Sequence, residues 1–157
     1  MTEIRVGQGI DVHGFSGESG ELSLGCVKWP ESPLLEGHSD GDVVAHALCD
    51  ALLLAGGIGD LGSIFGTDRP EWKGASGETL LRHVLRLLVA DGWSIQNAVI
   101  QLIGQKPRVS ARRLEVEQRL SALIAAPVSF GATTTDHLGF LGRGEGLAAL
   151  ATTLISR

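Results

Sequence analysis

Apolar positions fall into two periods along the chain. From Val43 they recur at 43, 44, 47, 48, 51, 52 and 55, which predicts one buried helical face. Ser39 and Asp40 suit the N-cap of this helix, Asp42 suits its first turn, and Gly56-Gly57 stops it. A second helix starts at Ser76, buries Leu80, Leu81, Val84, Leu85 and Leu88, and ends at Gly92. On its outer side Glu78 and Arg82 form an i,i+4 pair. His83 lies beside the stripe and reads as structural. A third helix takes Ser110 as its cap and turns Val116, Leu120, Leu123 and Ile124 inward. Its charged residues (Arg112, Arg113, Glu115, Glu117, Arg119) read as solvated surface.

Strand period appears elsewhere. Residues 4–13 alternate and predict a first strand, with Asp11 and His13 on the same face. Gly7 and Gly9 precede them on that face and leave room for a ligand or another backbone. Residues 14–20 read as a polar loop. Residues 22–29 read as a strand or short hairpin ended by Pro30 and Pro33. The glycine-punctuated stretch 58–70 reads as a mobile loop. Residues 95–103 and 128–135 predict strands, and Gly104-Gln105-Lys106-Pro107-Arg108 breaks the first of them. Residues 147–156 read as a strand from Thr152-Thr153 and the alternation Leu150, Thr152, Leu154.

The length of 157 residues predicts one domain over 1–157. With 43% apolar and 20% charged residues the chain reads as soluble and folded. Its 22 glycines are about twice the usual share. A net charge of -5 argues against a nucleic-acid surface. A small polyanion would then need metal ions, oriented N–H groups or a local arginine. Cys26 and Cys49 form no C-x-x-C pair and suggest neither a disulfide framework nor a thiolate zinc site. No apolar run reaches the roughly 18 residues of a membrane span. The first residues lack a signal-peptide pattern, so the expected location is cytoplasmic.

The chemistry-bearing residues gather around His38-Ser39-Asp40-Gly41-Asp42-Val43-Val44-Ala45-His46. Polar groups at the mouth of a buried helix suit an anion or metal site; the plainer reading is a well-capped helix with a satisfied core histidine. Asp11 and His13 can donate oxygen and nitrogen to zinc, and His46 offers a third ligand of the right type. Asp60 suits either a sugar hydroxyl or the cap of a short turn. Thr133-Thr134-Thr135-Asp136 ends a strand with a carboxylate, a common place for an oxygen ligand to magnesium. No P-loop pattern occurs.

Asp11-Val12-His13, His38-Ser39-Asp40-Gly41-Asp42 with His46, Asp60-Leu61-Gly62, Thr133-Thr134-Thr135-Asp136, and Gly139-Phe140-Leu141-Gly142-Arg143-Gly144-Glu145-Gly146 occur in this order. Together they closely resemble the 2-C-methyl-D-erythritol 2,4-cyclodiphosphate synthases of the non-mevalonate isoprenoid pathway. The resemblance covers essentially the whole chain. It implies an α+β domain, a mixed sheet with helices on one side, and a homotrimer around a threefold axis. It implies cyclisation of 4-diphosphocytidyl-2-C-methyl-D-erythritol 2-phosphate with loss of CMP. Zinc would be held by Asp11, His13 and His46, with magnesium or manganese on the substrate diphosphate held by Asp136. His38 and Thr134 match residues that stabilise the transition state. Ser39, Asp60, Leu61 and Gly62 match the methylerythritol side. Gly104, Gln105, Lys106, Pro107, Arg108, Val109, Ser110, Ala132, Thr133 and Thr135 match the cytidine pocket, contributed by a neighbouring chain. Phe140 and Arg143 match substrate contacts near the interface.

The chain departs from the family's usual residues at Asp136 (usually Glu), His137 (commonly Lys), Arg108 (commonly Lys) and the stretch Phe65-Gly66-Thr67-Asp68-Arg69. Two rival readings stand beside the resemblance. One is a metal-dependent phosphohydrolase, against which no adjacent His-Asp dyad occurs in that order. The other is a zinc-containing trimer that binds an isoprenoid diphosphate on its axis through Arg143 and Glu145.

Overall fold

The computed structural model describes residues 1–37 and 39–157, so His38 lies outside the described residues. Strands β1 (Ile4–Leu24), β2 (Val27–Leu35), β3 (Ser94–Ile103), β4 (Val128–Thr133) and β5 (Gly146–Ser156) form one sheet in the order β2-β1-β5-β3-β4. Among the described residues only β3 and β4 pair in parallel; the other neighbours are antiparallel. The sheet is therefore mixed, as the resemblance implied.

β1 is twice as long as its alternation predicted. Residues 14–20 are not a loop: Phe15 pairs with Leu35, Ser19 with Pro33 and Gly20 with Ser32. Most of the residues from 14 to 20 are solvent-exposed, so no buried face imposes an alternation there. Nor do Pro30 and Pro33 end β2. As the outermost strand it has an unpaired side, where a missing N–H costs nothing. Gly25 and Cys26 join the two strands with φ of 67° and 58°, the two positive values of a tight hairpin turn.

Helix α1 (Val43–Gly56) begins later than predicted. Its N-cap is Asp42, whose carboxylate accepts from the Ala45 N–H at 3.0 Å. Asp40 instead accepts from the N–H groups of Asp42 (3.1 Å) and Gly77 (2.9 Å). Gly57, at φ 67°, closes the helix as expected. The one-sided stripe proves too modest, because Ala45, Cys49 and Leu53 are fully buried too. The sheet lies beneath this helix and α3 (Gly77–Ala90) packs beside it. Gly7 and Gly9 face α1: an added Cβ would stand 1.9 Å from the Ala51 carbonyl oxygen and 2.2 Å from that of Ala47. The room they leave is filled by another backbone.

The stretch 58–70 is more ordered than a loop. It holds α2 (Leu61–Phe65), capped by Asp60, and a 3₁₀ turn follows at Pro70–Trp72. Ser76 caps α3 through the Thr79 N–H at 3.1 Å, as predicted. Ser110 caps nothing: α4 (Arg113–Ile124) starts after Arg112, which has no capping hydrogen bond. The charged face of α4 is also less solvated than expected. Glu117 accepts from the Phe130 N–H (2.9 Å), Arg112 lies over the Trp29 ring (4.6 Å), and Arg119 pairs with Glu78.

Along β5, Leu147, Ala149, Ala151, Thr153 and Ile155 are buried, whereas Leu150, Thr152 and Leu154 are only partly covered. β1 shows the same division: Gly7 and Gly9 face the helices, while Ile4, Val6, Ile10 and Val12 are exposed. Helices thus cover one face of the sheet and leave the other open.

Candidate active site

Two strand residues and one helix residue meet where β1 crosses α1. Asp11 Oδ2 lies 2.9 Å from His13 Nε2 and 3.1 Å from His46 Nδ1. The period of the strand puts Asp11 and His13 on the helix-covered face, and His46 stands in the first turn of α1 above them. His46 is 6% exposed, so the group opens outward through Asp11 and His13. The two glycines before Asp11 set how closely strand and helix approach.

The surroundings orient these groups. His13 Nδ1 donates to the Glu36 carbonyl, which aims Nε2 at Asp11. His46 Nε2 lies 3.0 Å from Ser39 Oγ, which leaves Nδ1 toward Asp11. Burial pushes the Asp11 carboxyl up, but hydrogen bonds from His13 and His46 outweigh it and hold its pKa at about 2. The hydrogen bond to Asp11 raises the pKa of His13.

One carboxylate and two imidazoles offer ligand atoms within 4.8 Å of one another. This N/O set suits a divalent ion. Both imidazole nitrogens that now share protons with Asp11 are free to turn their lone pairs inward, since each ring's other nitrogen already has a partner.

Asp60 caps α2 by accepting from the Ser63 N–H at 2.7 Å, which bears out the plainer of its two readings. Leu61 N–H donates to Asp50 Oδ1 at 2.8 Å. Asp50 stands on α1 one turn beyond His46 and so ties the Asp60, Leu61 and Gly62 segment to the helix that carries His46. The hydrophobic pattern of α1 gives Asp50 no role. Its spacing of four from His46 was the available signal. Glu36 was missed because it acts through its backbone.

A second feature lies beyond the ends of β3 and β4. Gly104, Gln105, Ala132, Thr133, Thr134 and residues 107–110 line an open cleft of about 420 Å³. Most of the predicted cytidine residues thus come together. Val109 is also a core residue, 4% exposed. Lys106 turns instead into a neighbouring cavity of about 490 Å³ with His137 and Arg143. Thr135 Oγ1 donates to the Leu138 carbonyl at 2.6 Å. Asp136 is exposed at φ 50°, its N–H 3.4 Å from Thr134 Oγ1, and it does not join the Asp11 group. Phe140 stands exposed in the short helix α5 (Gly139–Gly142), and Arg143 pairs with Glu145 at 2.7 Å. β5 and β3 separate the ligand strand β1 from β4, a gap of about 14 Å by strand spacing.

The sequence model of the YgbB family matches residues 4–156. The chain is 54% identical to the 2-C-methyl-D-erythritol 2,4-cyclodiphosphate synthase of Cutibacterium acnes, over all of this chain and 94% of that one. Among solved structures it is similar to the Plasmodium falciparum IspF CDP complex, with TM-score 0.82 and 29% identity over 97% of this chain and 95% of that one. It is also similar to the bifunctional IspDF from Campylobacter jejuni, with TM-score 0.93 and 33% identity. There it spans 99% of its own length and 43% of the larger chain.

Proposed function

The chain belongs to the YgbB family, and from that premise we infer that it converts 4-diphosphocytidyl-2-C-methyl-D-erythritol 2-phosphate to 2-C-methyl-D-erythritol 2,4-cyclodiphosphate with release of CMP, in isoprenoid biosynthesis. An oxygen of the 2-phosphate bonds to the β-phosphorus. The bond from that phosphorus to the oxygen shared with the α-phosphate breaks, and CMP leaves with the shared oxygen. No water is consumed, so the enzyme is a phosphorus–oxygen lyase. The attacking oxygen is already anionic and needs no base. What the protein must supply is positioning and neutralisation of crowded negative charge.

The observation that carries this reading is the convergence of Asp11, His13 and His46 in an otherwise acidic chain. Zinc held by these three, and magnesium or manganese held by Asp136, would supply the positive charge that phosphate oxygens require. Asp11 is ionised across the physiological range, and the Glu36 carbonyl holds the His13 ring in place. Ser39 and the Asp60, Leu61 and Gly62 segment bind the methylerythritol side. The cleft between residues 104–110 and 132–135 takes the cytidine, and Phe140 and Arg143 contact substrate near the interface with a neighbouring chain. His38 and Thr134 stabilise the transition state. The reaction takes place in the cytoplasm.

The working unit is a homotrimer. Its support is the open face of the sheet, where Ile4, Val6 and Ile10 are each more than 60% exposed and Val12 and Val99 nearly half. This many exposed apolar side chains on one sheet face favour a further surface packed against it. The separation of β1 from β4 also favours a site completed by a neighbouring chain.

The test is CMP release from synthetic substrate, with and without a chelator. Chelation should abolish release, and zinc with magnesium should restore it. Release of inorganic phosphate or a linear product would mark a hydrolase instead. Binding without CMP release would mark a non-catalytic protein.

A further inference from the structure

His83 sits on α3, outside both the ligand group and the cleft, and it is not a featureless surface residue. Its imidazole packs on two aromatic rings that come from the segment after Gly62. The ring centroids of Phe65 and His83 are 5.3 Å apart and those of Trp72 and His83 4.9 Å, with interplanar angles of 65° and 66°. Phe65 and Trp72 meet each other edge to face at 4.7 Å and 84°. All three contacts have the edge-to-face geometry that aromatic quadrupoles favour. Phe65 is only 4% exposed, and Trp72 and His83 are half-buried. The Arg86 guanidinium, 3.3 Å from His83 Nδ1, holds the ring from its outer side.

The segment between Asp60 and Trp72 is therefore fastened at two points. Asp50 of α1 takes the Leu61 N–H at its start, and His83 of α3 seats Phe65 and Trp72 at its end. Between these anchors residues 66–70 stand over an open cavity of about 380 Å³. Remove the second anchor and the segment keeps the Asp50 hydrogen bond and the core packing of Leu61, Ile64 and Phe65, but its far end loses its seat on α3.

We propose that His83 is a positioning residue for the cyclisation: through Phe65 and Trp72 it docks the 61–72 segment on α3 and so holds Asp60, Leu61 and Gly62 where substrate meets them. This rests on the reading of Asp60, Leu61 and Gly62 as substrate contacts. A planar ring is what the seat requires, since either flank of it faces another ring. The imidazole charge and its hydrogen bonds are secondary, so a phenyl ring should substitute.

Two readouts separate the clamp from the function it serves. Trypsin cleavage after Lys73, next to Trp72 in the sequence, reports docking without any substrate. The His83→Ala variant should be cut there about tenfold faster than the unmutated protein, the value of one aromatic pair. Its KM in the CMP-release assay should rise several-fold with kcat changed much less. The His83→Phe variant should restore both. Unchanged cleavage in His83→Ala would overturn the clamp. Faster cleavage with an unchanged KM would overturn its link to substrate, and so would a His83→Phe variant that behaves like His83→Ala. Absence of CMP release from the unmutated protein would strike the functional reading, while the cleavage rates would still decide the clamp.

Discussion

Gly9 lies two residues before Asp11 and faces α1, so the Gly9→Ala variant tests whether strand–helix spacing sets the ligand group. The added methyl would stand 2.2 Å from the Ala47 carbonyl oxygen, 2.6 Å from the Ala51 nitrogen and 2.9 Å from Asp50 Cβ. Two of these are helix backbone and cannot swing away. To reach ordinary contact, β1 and α1 must part by about 1 Å. That is a large step for Asp11 and His46, which sit 3.1 Å apart across the same seam. Overpacking against backbone costs about 3 kcal/mol, and for a chain of this size that lowers Tm by roughly 10 °C. Gly14→Ala is the control. It lies on the same strand, its new methyl would come no nearer than 3.7 Å to any described residue beyond its chain neighbours, and any stiffening of the unfolded chain is common to both variants. Metal content by elemental analysis and Tm by calorimetry read the outcome. Gly9→Ala should lose most of its bound zinc and melt early, while Gly14→Ala should stay within about 0.5 kcal/mol of the parent. A Gly9→Ala protein with full zinc and parental Tm would refute the idea that this seam fixes the site.

Burial raises the pKa of Asp42, against the opposing N–H groups of Ala45, Cys26 and Gly25. The folded protein therefore holds this proton at higher pH than the unfolded chain does, and the stability tied to it is lost as pH rises through that window. The stability gap between the parent and Asp42→Asn should thus move in the parent's favour as pH falls toward about 4; denaturant midpoints across that range would show no trend if the carboxyl were unshifted. Ile10→Lys places a charge on the open sheet face and should reduce the mass seen by light scattering from trimer to monomer, with CMP release lost alongside. A trimer in that variant would remove Ile10 from the interface. Asp136→Asn should keep zinc and fold but lose most CMP release at every magnesium concentration, and Asp136→Glu should stay active. Parental activity in Asp136→Asn would make Asp136 a turn residue only.

The elements legible in the sequence were those whose burial is one-sided. The stripe of α3 declares a single apolar surface, with Leu80, Leu81, Val84 and Leu88 buried as its period requires. Residues 14–20 did not, because that part of β1 has no buried face and its pairing with β2 leaves no mark in the pattern. Pro30 and Pro33 misled for a related reason: their meaning depends on whether the strand is central or outermost, which is a property of the sheet. Within the site, Asp11, His13 and His46 could be grouped from residue type and strand period. Their orientation could not, since it depends on the Glu36 carbonyl and the Ser39 hydroxyl. Asp42 shows the limit most clearly. Its position suits a first-turn acid, yet it is fully buried and joins the hairpin turn at Gly25 and Cys26 to α1. That link spans distant sequence and has no local signature.

The outermost strand carries a consequence for association. Between Trp29 and Ser32, β2 holds one residue more than the facing stretch of β1, with Glu31 at φ 52°, so the strand is kinked there. Pro30 and Pro33 remove donors on either side of the kink. An approaching strand, whether from an unfolded chain or a second copy, finds an irregular rim with gaps in its hydrogen-bonding groups. Ribbon-like growth past β2 is blocked, while the apolar face of the same sheet stays available. At this edge the sheet is therefore a poor template for a further strand.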